Sequence, residues 1–275
     1  TGTITNLISS DGGTTWTATF TPPADSTDAN NTVSLNVNTV SDIAGNTGPS
    51  TTGSSGNYTI DTTAPTVTSI TLDDSALKIG ETATVTITFS EAVTGFDAGD
   101  LVVDTGTITN LISSDGGTTW TAILTPPASI EDSNNTVQLN ANTVTDIAGN
   151  VGGNSTTASS NYAIDTVAPT VTGVSSTSTN GNYRVGQKIT ITVTFSEAVY
   201  TGGFPSILLK TGPGASDSRT VEFSSGSGTN TLSGVYTIQP GDLSADLDYV
   251  DSGSLVASGS ASLTDAAGNA AILTL

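Results

Sequence analysis

Apolar residues along this chain alternate with threonine in short runs. Thr66–Leu72 reads TVTSITL and Thr82–Phe89 reads TATVTITF. Strict alternation puts one set of side chains on a buried face and the other in solvent, the signature of a half-buried β-strand. Threonine on the wet face supplies β-branching, which suits a pleated surface. Leu101–Asp104, Thr107–Ile112, Thr118–Leu124, Thr136–Val144 and Ser160–Ile164 complete a set of strand-like runs. Clusters of Gly, Asn, Asp and Pro separate them, and Asp115-Gly116-Gly117 is the clearest hairpin turn. No segment sustains a helical period. Seven short strands in about a hundred residues predict an all-β chain of immunoglobulin-like β-sandwiches. Trp16 and Trp120 are expected in their cores.

The pattern repeats. Thr1–Ala18 and Thr105–Ala122 are identical letter for letter, an offset of 104 residues from Thr1 to Thr105. NNTVSLNVNTVSDIAGN, from Asn30 to Asn46, returns as NNTVQLNANTVTDIAGN, from Asn134 to Asn150. NYTIDTTAPTV from Asn57 returns as NYAIDTVAPTV from Asn161. A more divergent copy follows, with TVTFSEAV at Thr192–Val199 matching TITFSEAV at Thr86–Val93, and DAAGN at Asp265–Asn269. A period this long fits a self-contained domain rather than a solenoid unit. The expected division is residues 1–61, the C-terminal part of a repeat whose N-terminal strands are absent; 62–165, a complete repeat; and 166–275, a diverged repeat. The units are expected to stack end to end, because linkers such as Asp165–Pro169 are short and Pro169 restricts its own φ and its neighbour's conformation.

Composition narrows the chemistry. Lys and Arg total 5 against 25 Asp and Glu, a formal charge of −20. Nucleic acid and anionic membrane surfaces both need a basic footprint, so neither is an expected partner. The absence of Cys rules out disulfides and thiolate metal sites; the absence of His removes imidazole-ligated zinc and a Ser-His-Asp triad. With no Met, the sequence reads as an internal or processed piece. It contains no P-loop, dinucleotide fingerprint or nucleophile elbow, and paired carboxylates duplicated on repeated turns make a poor glycosidase, so no enzyme is expected.

Strand order says where the acids gather. Consecutive strands of a sandwich mostly run up and down, so alternate loops share an end. In the complete repeat, Asp61 in the entering linker, Glu91, Asp97 and Asp100 in the Ser90–Asp100 loop, and Asp146 in the TDIAGN loop should converge. Asp25 and Asp28 should face them from the unit before. At the next junction Asp165, Glu197 and Asp265 should gather, facing Glu131 and Asp132. Such a cluster repels itself unless it is hydrated, protonated or bridged by a cation. Ca²⁺ takes six to eight oxygen ligands in loose geometry. Structural Ca²⁺ is therefore the expected cofactor, with Asp61, Glu91, Asp100, Asp146, Asp165, Glu197 and Asp265 as candidate ligands.

The run of TFSEAV, DLVV, GTITNL, DGGTTWTA, NNTVSLN, DIAGN and NYTIDTTAPTV resembles the bacterial Ig-like repeats of very large surface adhesins exported by type I secretion. The third unit, with SILLKTG and YTIQPGDLSADLDY, looks like a sister type. The resemblance implies an extracellular stalk on a bacterial cell surface, serving adhesion and biofilm formation. In such a stalk, neighbouring repeats of the same longer chain are the immediate partners, and a host or surface glycan or protein is met at a distant tip. Ca²⁺ would stiffen the junctions, carried here by Asp61, Glu91 and Asp146, then Asp165, Glu197 and Asp265. The third unit departs from the pattern, since its Glu197 loop continues TGGFPS and lacks counterparts of Asp97 and Asp100. Two rival readings stay open: a glycan- or protein-binding module using Tyr183, Tyr200 and Phe204, and a subunit of a surface filament or layer in which another chain completes the first repeat's open sheets.

Overall fold

The structure is a computed structural model and describes residues 2–140, 142–152, 157–214 and 217–275. Among these the only helix is a single 3-10 turn, Ala98–Asp100. Everything else regular is strand.

In the middle unit one sheet runs, in spatial order, Thr107–Ser113, Thr119–Thr125, Ala83–Phe89 and Val67–Leu72, all antiparallel. Ala83–Phe89 alternates buried and half-buried residues without a break, as the threonine spacing predicts. The facing layer pairs Tyr162–Asp165 with Ala76–Lys78 in parallel and with Glu131–Asn135 antiparallel; Leu101–Val103 pairs with Val137–Leu139. Val85, Ile87, Phe89 and Leu124 from the first layer meet Leu77, Leu101, Val137, Tyr162 and Ile164 from the second in one buried cluster. Two layers of this order around one core are an immunoglobulin-like β-sandwich.

The expected strand Thr136–Val144 is broken in two, Val137–Leu139 and Val144–Asp146. Asn142 lies between them at φ +60, a left-handed conformation that ends pairing and that Asn tolerates. Asp115 behaves as the hairpin residue it resembles. Its Oδ1 accepts from the backbone N–H groups of Thr118 and Thr119 and from Ser113 Oγ. The Thr119 bond foremost holds its carboxyl down at about 2.

Residues 2–61 repeat the same pairings: Thr3–Ser9 with Trp16–Thr21, Thr27–Asn31 with Tyr58–Asp61, and Ser34–Leu35 with Gly53–Ser54. They hold no counterparts of Val67–Val103, so most strands of the middle unit's two layers have no equivalent here, although Phe20 still stands edge-on to Tyr58 with centroids 5.6 Å apart. Ile4, Leu7, Trp16 and Leu35 are exposed, whereas Trp120 and Ile108 pack on the middle core. The expectation for Trp16 therefore fails, because residues 2–61 hold no counterpart of Phe96, the ring that Trp120 packs against.

The third unit forms one connected sheet around a separate core that includes Val193, Phe195, Ile207, Phe223 and Leu232. Lys188–Gly202 runs through both layers. It pairs first with Thr229–Thr237 and then, past a register break, with Ser262–Thr264.

Candidate metal centres at the unit junctions

Strand ends deliver the acids. Asp61 closes the strand Tyr58–Asp61, Glu91 follows Ala83–Phe89, and Asp146 closes Val144–Asp146. One carboxylate oxygen from each lies within 4.8 Å of the other two. Asp165, Glu197 and Asp265 form a second trio with the same spacing. Among the described residues these are the two clusters of three or more such side chains.

The Asp-x-Ala-Gly-Asn loop builds the floor of each trio. Asp146, 3% exposed, accepts at Oδ1 from the N–H groups of Gly149 (2.7 Å) and Asn150 (2.9 Å), and at Oδ2 from Asn150 Nδ2 (2.7 Å). Asp265, also 3% exposed, is held the same way by Gly268 and Asn269. The fold requires glycine before the Asn, since Gly149 sits at φ +95 and Gly268 at φ +93. Burial pulls Asp146 upward, but the bonds from Asn150 and Gly149 outweigh it and keep the carboxyl below its usual range.

The glutamates sit in the opposite situation. Burial, then the charges of Asp61 and Asp146, push Glu91 above its ordinary value of 4.5. Burial, then Asp265, Asp165 and Glu131, do the same to Glu197. A group held above its unfolded value binds protons more tightly in the fold, so the stability it adds is present in acid and lost as pH rises above 4.5. Without cations, acidification from neutrality toward pH 4.5 is expected to tighten the first junction, because protonating Glu91 removes charge that repels. A cation there displaces the same proton, so its apparent affinity is expected to fall over that interval. Titration calorimetry at several pH values checks this.

The linkers are tied down as well. Thr166 Oγ1 accepts from the Ile130 N–H and donates to Pro127 O; Thr62 does the same with Ser26 and Pro23.

Not every acid singled out in the sequence joins a trio. Asp100 does not: its Oδ2 accepts from the Asp97 N–H at 2.8 Å while Asp97 accepts from Gly99, and the pair closes the 3-10 turn. A capping box competes for the carboxylate, and spacing alone does not distinguish the two uses. Asp132 turns back to Thr105 Oγ1 and to Asn134, and Asp28 to Asn30. Glu131 reaches the second trio through its charge on Glu197. The amide nitrogens of Asn150 and Asn269 organise the loop and reach the linker carbonyls of Asp61 and Asp165.

The donor set suits a hard cation. Three oxygen ligands converge with no soft or imidazole donor, and one member of each trio is held above its ordinary value at a cost that a divalent ion would relieve.

Elsewhere in the third unit, a cleft of about 670 Å³ is lined by residues that include Tyr183, Tyr236 and Asp242. Asp242 is paired with Arg219 and takes the Tyr236 hydroxyl. Tyr200 and Phe204 are exposed but do not line it.

A family model described as a bacterial Ig-like domain matches residues 1–60 and again 61–164. No curated protein and no solved structure matches the chain.

Proposed function

We propose, because this chain belongs to the bacterial Ig-like domain family, that it is a non-catalytic segment of an extracellular stalk whose junctions are stiffened by Ca²⁺. The observation that carries the proposal is the pair of matching carboxylate trios, each built at a linker and each repeated with the unit. Asp61, Glu91 and Asp146 would hold one ion, and Asp165, Glu197 and Asp265 the next. The ion supplies positive charge that cancels the repulsion among the acids and ties the linker to two loops of the following sandwich. The protein's own residues do the rest: Asn150 and Asn269 aim the floor carboxylates, and Thr62 and Thr166 fix the linkers to the unit before.

The acidic balance keeps such a chain hydrated and apart from nucleic acid and anionic lipid. No helix among the described residues is long and apolar enough to cross a membrane. In this reading the units belong to a large adhesin exported by type I secretion, and adhesion itself happens at a distant tip. Calorimetry on the whole chain tests the reading. Ca²⁺ is expected to bind in the millimolar range or tighter, and Mg²⁺ more weakly because it tolerates irregular coordination poorly. Absence of Ca²⁺ heat and of any Ca²⁺-dependent change in shape would refute it.

A further inference from the structure

The Asp-x-Ala-Gly-Asn loop occurs three times, each time with a different amount of surrounding structure. At Asp42–Asn46 it is exposed, yet it already holds its shape, with Asn46 N–H on Asp42 Oδ1 and Nδ2 on Oδ2. At Asp146–Asn150 the same bonds are present and Nδ2 also reaches the linker carbonyl of Asp61, at 3.1 Å. At Asp265–Asn269 a third layer is added: Asn269 Oδ1 accepts the backbone N–H of Ile79 at 2.8 Å, from the base of the preceding unit. Asn269 is then 2% exposed, with every polar group of its side chain used. The Lys78 side chain lies over Gly268, its Cδ and Nζ 3.7 and 3.6 Å from where a Cβ would stand; nothing comes within 4 Å of that point at Gly45 or Gly149.

We propose that this loop is a preformed docking element whose partner is the Lys78–Gly80 turn of the preceding unit, and that Asn269 locks the two units in register without a cation. The lock deepens the reading of the chain as a stiff array and rests on it. Because the loop is formed before anything docks, little conformational entropy is lost on docking. The Ile79 N–H would otherwise point to water, so the gain is one shielded hydrogen bond plus the packing of the Lys78 stem. Asp265 links the lock to the acidic trio, since the carboxylate that anchors Asn269 is also a candidate ion ligand.

Two substitutions separate the lock from folding. Asn269→Ala removes the acceptor and the loop's internal bonds together. Ile79→Pro removes only the donor. Lys78–Glu81 is a turn closed by Glu81 N–H on Lys78 O, with Gly80 at φ +80 in its third position, a type II pattern that favours Pro in the second. The chain has no cysteine, so Thr109→Cys and Thr220→Cys, both exposed, place one spin label on each unit. In excess chelator the labelled wild type is expected to give a narrow distance distribution. Either variant is expected to broaden it and to lower the docked-to-undocked ratio about five-fold, the usual worth of one hydrogen bond, with far-UV circular dichroism unchanged. A wild-type distribution narrow in chelator and unmoved by Ca²⁺ supports the lock while removing the Ca²⁺ reading. A wild type already as broad as the variants in chelator, or two variants as narrow as the wild type, overturns the lock.

Discussion

Phe89→Ala is expected to destabilise the middle unit by about 3–5 kcal/mol, whereas Trp16→Ala shifts stability by no more than about 0.5 kcal/mol. Phe89 is 2% exposed and stands edge-on to Phe96, which stands edge-on in turn to Trp120, with centroids 5.3 and 5.2 Å apart. Truncating it removes the apolar transfer of a whole ring and leaves a void among side chains that come from both layers. Trp16 has the same neighbours in sequence as Trp120 and the same local bond from its indole N–H, to Gly13 O as Trp120 bonds Gly117 O. It is nevertheless 56% exposed, because residues 2–61 hold no counterpart of Phe96 to cover it. The chain contains two tryptophans, so the Trp16→Ala background leaves Trp120 as the sole indole reporter of the middle core. Denaturant titration of its fluorescence, with and without Phe89→Ala, measures the difference. A loss below about 1 kcal/mol would mean that the aromatic stack is not packed as described.

The second large effect concerns the ion. Chelation is expected to widen the range of angles at the first junction while leaving β-content intact, since neither core includes a trio carboxylate. Asp146→Ala is expected to weaken Ca²⁺ binding at the first junction at least about 10-fold, because it removes a ligand together with the anchor of the Gly149–Asn150 turn. Asp115→Ala is expected to leave binding unchanged, its carboxylate being committed to its own hairpin. Small-angle scattering and circular dichroism with and without Ca²⁺ check the first claim, and calorimetry on the two variants the second. A β-signal lost in step with the change in shape would place the ion inside a sandwich instead.

Much of this architecture was legible in the sequence because a strand with one wet face writes its own pattern. Ala83–Phe89 alternates in the structure as TATVTITF alternates in the chain. The trios were legible for a topological reason: strands that run up and down return their loops to one end, and Asp61, Glu91 and Asp146 follow from counting strands. What counting cannot supply is direction. Asp97 and Asp100 lie in a loop at that same end, but a local capping bond turns Asp100 to its own turn. Trp16 and Trp120, identical in local sequence, differ in burial, one exposed and the other half-buried against the core, because burial is set by residues far along the chain. The bond between Ile79 and Asn269 joins residues 190 apart in sequence, and neither residue type announces it.

The parallel pairing of Ala76–Lys78 with Tyr162–Asp165 has a consequence under tension. The chain enters the middle unit just before Val67 and leaves it at Asp165, so a pull on the two ends drags these neighbouring strands in opposite directions along their own axes. Their ladder, continued by the Ala163 N–H on Ser75 O at 2.8 Å, is loaded in shear, with all its bonds strained at once instead of parting one by one from an end. The third unit begins in the same way: Thr170 bridges Ile272 in parallel, and the Ile272 N–H bonds Pro169 O at 2.7 Å. Each of these units carries its clamp where a tether would apply the force.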